Sequence, residues 1–391
     1  MTILNLGTFP PKQCGIATFS MDLCNSLRQQ GNKVKIMAVS DNNYDYHYPR
    51  EVIFQLKQNR KQDYIKAANY INSTRNIDLL ILQHEYGIYG GRDGEFILEM
   101  VKRLHKPFVL VTHTVLPHPE KHQKDILNQL CQRAAGIACM TRKSADLLIN
   151  LYESPPELVK VIAHGVPQFN VHEQDFLKEK YHLQGRHIIS TFGLIGPGKG
   201  LELGIKALTQ VVDRHPEVTY LILGQTHPML QKSEGERYRN MLEGLVEELS
   251  LQKNVQFVNK YLSDDELGEY LYMTDIYLSP YPNRDQAVSG TMAFAMGCGR
   301  AIVSTSYAYA QEVLAGGRGL LAHEPNPNEL SQLLNQILDD HQLKTNLQQR
   351  ALELGMDWSW PSVGRQYTDL FRMILDDHYI REENEVNYAR L

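Results

Sequence analysis

The chain has 391 residues, 42% hydrophobic and 22% charged, with a formal net charge of −5. That length exceeds one ordinary core and favours two domains. The mild acidic excess, without single-sign runs, gives no pointer to nucleic acid and argues against an electrostatic membrane clamp. No apolar run reaches the roughly 18 residues that a spanning helix needs.

The N-terminus, MTILNLGTF, goes straight into a strand-like run and lacks the pattern of a signal peptide. Apolar runs at 3–6, 34–38, 79–82, 108–111, 137–139 and 159–162 predict strands, and amphipathic stretches such as 17–29 and 63–72 predict helices between them. Continuously apolar strands alternating with helices imply a parallel sheet covered on both faces. A less regular stretch, 167–186, is expected to be a hinge or linker. The pattern then restarts, with strands at 188–191, 219–223, 255–258, 276–279, 301–303 and 319–322. Ser263 followed by Glu266 predicts a capping box, so Asp264 and Asp265 face the helix dipole rather than a metal. From 326 to 378 the chain reads as wholly helical. The expected fold class is α/β, with two Rossmann-like doubly wound domains facing across a cleft: 1–168 and 169–361. Ligands of such folds bind at the carboxyl ends of the strands. Five scattered cysteines (Cys14, Cys24, Cys131, Cys139, Cys298) without a CxxC pair point to reduced thiols and a cytoplasmic location. Cys298 is expected to be a small packing residue.

The strand-end loops hold the candidate chemistry. Gly15, just ahead of the first helix, would let a ligand approach bare N–H groups, although a plain turn explains the loop equally. Its spacing is not GxGxxG. Gln83-His84-Glu85-Tyr86, in a loop running on to Gly94, is dense in groups that bond and stack on sugars, which nominates His84, Glu85 and Tyr86 as acceptor or sugar contacts. His113 stands at a strand end, where the cleft is expected; His118 and His122 read as solvated loop and helix residues. His164 and Gly165 end another strand, and His164 is expected among the acceptor or sugar contacts. Residues 192–200, FGLIGPGKG, place four glycines and Lys199 between strand and helix, a phosphate seat of bare N–H groups plus a point charge. It is no Walker A loop, because Gly200 stands where Ser or Thr should follow the lysine. Gly224 ends the next strand. In 281–299, Ser289, Gly290 and Thr291 open an Ala- and Met-rich helix whose first N–H groups offer a seat for an anion or a polar group; close core packing is the other use of such small residues. Glu312 is expected to begin a further helix.

In order and spacing these motifs resemble the family 4 retaining glycosyltransferases (glycosyltransferase group 1) of GT-B architecture, over nearly the whole chain. FGLIGPGKG is similar to the family's GRLxxxKG loop and His164-Gly165-Val166 to its NGV. Gly224, the stretch 281–299, Glu312, Trp360 and Tyr367 fall at family positions. The resemblance implies a hexosyltransferase of the EC 2.4 class that moves a sugar with retention of configuration from an activated donor. The C-terminal domain would hold the donor and the N-terminal domain the acceptor, with neither metal nor cofactor, and a last helix, 362–391, would pack back on the N-terminal domain. It also implies that Gly15 lies near the donor phosphates and His113 beside the transferred sugar. Lys199 would neutralise the departing phosphate. Gly193, Gly198, Gly224, Ser289, Gly290, Thr291 and Glu312 would belong to the donor site.

Three positions depart from the family, which marks a divergent branch. The paired glutamates, eight positions apart, fall on Gln286 and Phe294, and the arginine of GRL falls on Leu194. Gln286 still bonds sugar hydroxyls, whereas a phenyl ring cannot hydrogen-bond a ribose diol. The leading expectation is therefore a nucleotide-diphosphate sugar donor, with the ribose held by Arg284 or backbone. The alternatives are a retaining glycoside phosphorylase using phosphate and a sugar 1-phosphate, or an inactive sugar-binding subunit. Acceptor groups are expected from N-terminal loops such as 42–48, whose Tyr44, Tyr46 and Tyr48 read equally as a mobile surface loop. The partners expected are thus a small-molecule sugar donor and a carbohydrate or other hydroxyl acceptor.

Overall fold

A computed structural model describes residues 1–42 and 44–388, with side chains through residue 378. The chain divides into two compact units, Met1–Gly165 with Trp360–Leu391, and Val166–Ser359. The first holds parallel strands β1 (Thr2–Gly7), β2 (Lys33–Ser40), β3 (Val52–Lys57), β4 (Leu79–His84), β5 (Phe108–Thr112), β6 (Gly136–Cys139) and β7 (Val159–Val161), in the order β3-β2-β1-β4-β5-β6-β7. The second holds β8 (His187–Phe192), β9 (Val218–Leu223), β10 (Val255–Val258), β11 (Ile276–Ser279), β12 (Ala301–Thr305) and β13 (Leu320–Ala322), all parallel, in the order β10-β9-β8-β11-β12-β13. Each sheet reverses its winding beside its first strand, β1 against β4 and β8 against β11. That is the point where a doubly wound sheet opens a crevice.

β4 is buried at every position, as its continuous apolar run requires. β3 is not in the sequence-based expectation. It is an edge strand whose side chains are mostly half-exposed, so VIFQLK never forms the solid apolar run of a central strand. The stretch 167–186 is not structureless either: it contains the helix Gln174–Lys180. The stretch 326–378 is helical nearly throughout, as expected, in three helices, Pro327–Asp339, His341–Asp357 and Trp360–Tyr388, with Asn326 and Asp340 as side-chain caps. The capping box at Ser263 and Glu266 is present, with both reciprocal bonds.

The helix Trp360–Tyr388 packs within the first unit, against the helix Gly15–Gln29. Ser26 Oγ donates to the Trp360 carbonyl and Asn32 Nδ2 to Thr368 Oγ1 at 3.0 Å. Two glycines allow this approach: a Cβ on Gly364 would lie 2.0 Å from Ser26 Oγ, and one on Gly165 would enter the Trp360 ring at 2.2 Å. Residues 389–391 of the expected terminal helix lie outside the described residues.

In the second unit the helices Gln174–Lys180 and His341–Asp357 meet one buried carboxylate. Asp275 takes Lys178 Nζ at 2.8 Å, Lys344 Nζ at 3.0 Å and the Ile188 N–H at 2.9 Å. Burial pushes this carboxyl up, but the Lys344 and Lys178 ammonium groups and the N–H outweigh it, so it sits below the usual range. Asp275→Asn would leave two ammonium groups facing each other and should destabilise the chain by about 3 kcal/mol in urea unfolding at pH 7. A depressed folded-state pKa means that this stabilisation is present above the unfolded value of about 4 and is lost as the pH falls through the folded one. The wild type and the variant should therefore converge in acid, and equal stability at pH 7 would refute the role.

Candidate functional site

In the first unit the candidate residues gather on the loops after β1, β4 and β5. His113 follows β5, and its backbone N–H donates to the His84 carbonyl at 3.0 Å. His113 Nε2 lies 2.8 Å from Gln83 Oε1, while Gln83 Nε2 donates to Asn5 Oδ1 at 2.9 Å. This chain of amides places the imidazole proton on Nε2 and leaves Nδ1 as an acceptor. Phe19 sets its ring edge-on to both His113 and His164, at 4.8 and 5.1 Å between centroids. His164 Nδ1 lies 2.8 Å from the Gly165 carbonyl. His84 packs edge-on against Tyr86, and its buried Nδ1 has no hydrogen-bond partner among the described residues.

Burial, with His164 and His84 adding, pushes His113 down to about 3. Burial likewise lowers His84 and His164 to about 4. All three are neutral at pH 7, so this cluster offers hydrogen bonds rather than positive charge. Glu85 is bonded by the Thr114 hydroxyl and the Tyr86 N–H; burial raises its carboxyl above the ordinary range despite those bonds. Gly15 is exposed at the start of its helix, and a Cβ there would meet nothing within 4 Å. Cys14 caps that turn, its Sγ accepting from the Ala17 N–H at 3.4 Å and its carbonyl from the Thr18 N–H at 3.2 Å.

In the second unit the glycine loop after β8 packs against the segment after β11. Gly193, with φ +123°, faces Lys199: a Cβ there would stand 3.0 Å from Lys199 Nζ. Gly224, with φ +135°, has its Cα against the Gly193 carbonyl, where a Cβ would come to 2.1 Å. Both positions need glycine for conformation and for space. Gly198 is exposed, and Gly200 in the left-handed region starts the helix Leu201–Val212. Lys199 Nζ donates to the Tyr281 hydroxyl at 2.6 Å, and that oxygen lies 2.8 Å from Thr291 Oγ1. Thr291 Oγ1 lies 3.2 Å from Ser289 Oγ, which caps the helix Gly290–Gly297 by accepting from the Met292 N–H. One ammonium, two hydroxyls and a helix N-terminus thus converge, an arrangement suited to phosphate. Tyr281 is stacked on Tyr307, 5.2 Å between centroids. Burial raises its phenol, but Lys199, by charge and by hydrogen bond, pulls it net below its ordinary value.

Two family models match this chain, "Glycosyltransferase Family 4" over residues 14–168 and "Glycosyl transferases group 1" over 173–354. The chain belongs to glycosyltransferase family 4. Among curated relatives of this family 4 protein, the D-inositol 3-phosphate glycosyltransferase of Corynebacterium glutamicum is 23% identical over 260 residues, 65% of this chain and 61% of the relative. The chain thus spans about three fifths of that relative's length. The alpha-D-kanosaminyltransferase of Streptomyces kanamyceticus is 22% identical over 279 residues, 68% of this chain and 66% of the relative. Solved structures with a similar fold include Anabaena HepE in complex with UDP (TM-score 0.78, 17% identity, 95% of this chain and 100% of that one). Another is the sucrose-phosphate synthase of Thermosynechococcus elongatus (TM-score 0.80, 15% identity, 96% and 99%). These likenesses make the fold GT-B.

Some residues of the family 4 chain stand elsewhere than the sequence suggests. Glu312 does not begin a helix but lies near the end of Ala308–Val313, half-buried. Gln286 turns back on its own loop, its Nε2 donating to the Val288 carbonyl at 2.8 Å. Arg284, the expected ribose contact, is ion-paired with Glu324 on an exposed surface. His122, partly exposed on the helix Lys121–Cys131 as expected, also bridges Asp93 and Glu95 at 3.0 and 3.2 Å. Cys298 is buried in the core. Gln83 and Tyr281 were missed as orienting residues. An amide at the end of an apolar strand is the local signal for Gln83, whereas Tyr281 acts through a partner 82 residues away. Among the described residues no three His, Cys, Asp or Glu side chains form a metal-binding group, and no helix is long and apolar enough to cross a membrane.

His113, His84 and His164 should keep neutral-imidazole nitrogen shifts from pH 5.5 to 8 in NMR spectra, and a titration midpoint near 6.5 would contradict their burial. Because the unfolded chain binds these protons at about 6.5, the three histidines should make the protein progressively less stable as the pH falls below that value.

Proposed function

We propose that the chain is a retaining hexosyltransferase, moving a sugar from a nucleotide-diphosphate donor to a carbohydrate or other hydroxyl acceptor. The observation that carries this reading is the convergence of Lys199, Thr291 and Ser289 on one helix N-terminus beside a glycine loop. Breaking the sugar–phosphate bond leaves negative charge on the departing phosphate. A fixed ammonium and oriented N–H groups stabilise that charge without reorganising. Tyr281 keeps the Lys199 ammonium in place while the site is empty, and on binding a phosphate oxygen takes over its hydrogen bond. The neutral His113 turns Nδ1 to a sugar hydroxyl, with Gln83 holding the tautomer. The UDP bound by HepE supports a nucleotide donor. Retention and metal independence follow the family, and five cysteines without a disulfide favour the cytoplasm.

A second reading is favoured by one observation. Phe294 is buried and stacked on Phe192, 6.0 Å between centroids, so that position supplies an aromatic ring and no acceptor for a ribose diol. If inorganic phosphate replaces the nucleoside diphosphate, the same Lys199 site serves a retaining glycoside phosphorylase that releases a sugar 1-phosphate.

Thermal-shift measurements with UDP, GDP, ADP, their sugars, phosphate and sugar 1-phosphates separate the two. A nucleotide-selective shift supports the transferase, and a shift with phosphate or a sugar phosphate alone supports the phosphorylase. Under either reading Lys199→Ala should lower turnover roughly 100-fold with the melting temperature nearly kept; unchanged turnover refutes the phosphate role.

A further inference from the structure

Away from the histidines, the carboxyl edge of the first unit carries a second constructed surface. Tyr44, Tyr46 and Tyr48 follow β2 at alternate positions, so in extended chain they share one side. Their rings form a staircase: Tyr44 and Tyr46 are 4.5 Å apart and tilted 45°, and Tyr46 and Tyr48 are 5.5 Å apart and tilted 42°. Tyr44 is 60% exposed. Asn43 lies outside the described residues, and the surface rests on 44–48.

This surface is anchored, in contrast to the mobile loop the sequence allows. Tyr46 donates to Asp41 Oδ2 at 2.7 Å, and Ser40 Oγ donates to the Tyr48 hydroxyl at 3.1 Å. Lys57 Nζ reaches the Tyr44 carbonyl at 3.1 Å and Asp45 at 3.0 Å. Lys12, from the loop after β1, pairs with Asp41 at 2.6 Å. Gln58 Nε2 donates to the Gly87 carbonyl at 2.9 Å, which joins this wall to the loop of His84, Glu85 and Tyr86. Loops after β1, β2, β3 and β4 therefore form one continuous rim.

We propose that the Tyr44–Tyr46–Tyr48 staircase binds the acceptor, and that the acceptor is an uncharged oligosaccharide of at least two sugar rings. This rests on the transferase reading above and names its substrate class. Sugar rings present C–H faces bordered by hydroxyls. Phenol rings offer the matching surface, an apolar face with a polar tip, at low entropic cost because each turns about only two side-chain bonds. Tyr46 and Tyr48 are half-buried behind the exposed Tyr44, so the row of rings extends the Tyr44 face with partial faces toward a second sugar. Charge separates this acceptor from a phosphorylated one. Lys12 and Lys57, the lysines that reach the staircase, are each paired with a carboxylate, Asp41 and Asp45. An acceptor phosphate would meet charge already neutralised.

The test uses the full chain and isothermal titration with defined probes: hexasaccharides of α- and β-linked glucose, of mannose and of galactose, the corresponding monosaccharides, myo-inositol 1-phosphate, and UDP. At least one hexasaccharide should bind tenfold or more tightly than its monosaccharide. Tyr44→Ala, at an exposed position, should keep the melting temperature and weaken that binding about tenfold, the loss of one well-stacked ring, while UDP binding is unchanged. Tyr46→Phe, which keeps the ring, should retain most of the affinity. Binding of inositol phosphate in preference to every hexasaccharide overturns the proposal, as does equal glycan affinity in Tyr44→Ala or binding of no glycan. UDP binding without glycan binding sinks the staircase and leaves the transferase reading standing; glycan binding without any nucleotide or phosphate ligand does the reverse.

Discussion

A parallel strand can pair with the next only after the chain has travelled back the full length of the sheet. Among the described residues every return path but one contains a helix, the exception being 41–51 between β2 and β3, so the strand-to-helix loops all emerge on the same edge. That constraint gathers the chemistry. Loops far apart in sequence, after β1, β4 and β5 in one unit and after β8 and β11 in the other, become neighbours within their unit without any side chain directing them. The side chains then refine what topology supplies, and the winding reversals at β1/β4 and β8/β11 decide which loops have room between them.

Electrostatically the two units are opposites. The first gathers three imidazoles and a carboxyl whose burial keeps them from charging easily, Glu85 raised and the histidines lowered. The second gathers a lysine, hydroxyls and a helix N-terminus, with a phenol drawn below its ordinary value by that lysine. Neutral donors and acceptors suit hydroxylated ligands, and fixed positive charge suits phosphate.

Much of this was readable from residue order. Central strands such as β4 and β9 are buried along their length, so their apolar runs admit one interpretation. The glycines of 193–200 and the Ser-Gly-Thr at 289–291 marked the loops that meet around Lys199 because backbone conformation and helix starts are local properties. What stayed hidden was long-range or marginal. β3 is half-exposed at the sheet edge and lacks a clean period. The helix Gln174–Lys180 is short, with Gln174 and Lys178 turned to Asp275 about a hundred positions on, a partner no local window contains. The engagement of Lys199 by Tyr281 and of His113 by Gln83 likewise exists only once strands are laid side by side.

The first unit is assembled from both ends of the chain. Its helix Gly15–Gln29 carries Ser26 and the turn after it carries Asn32, and their buried polar atoms are matched by Trp360 and Thr368. The second unit, Val166–Ser359, is contiguous. During synthesis from the N-terminus, the second unit is therefore complete on the ribosome while the first still exposes a helix flank awaiting the last segment. The part made first is the part finished last. A nascent chain stalled before residue 360 would carry one closed unit and one with an open seam, the state in which a chaperone has most to cover.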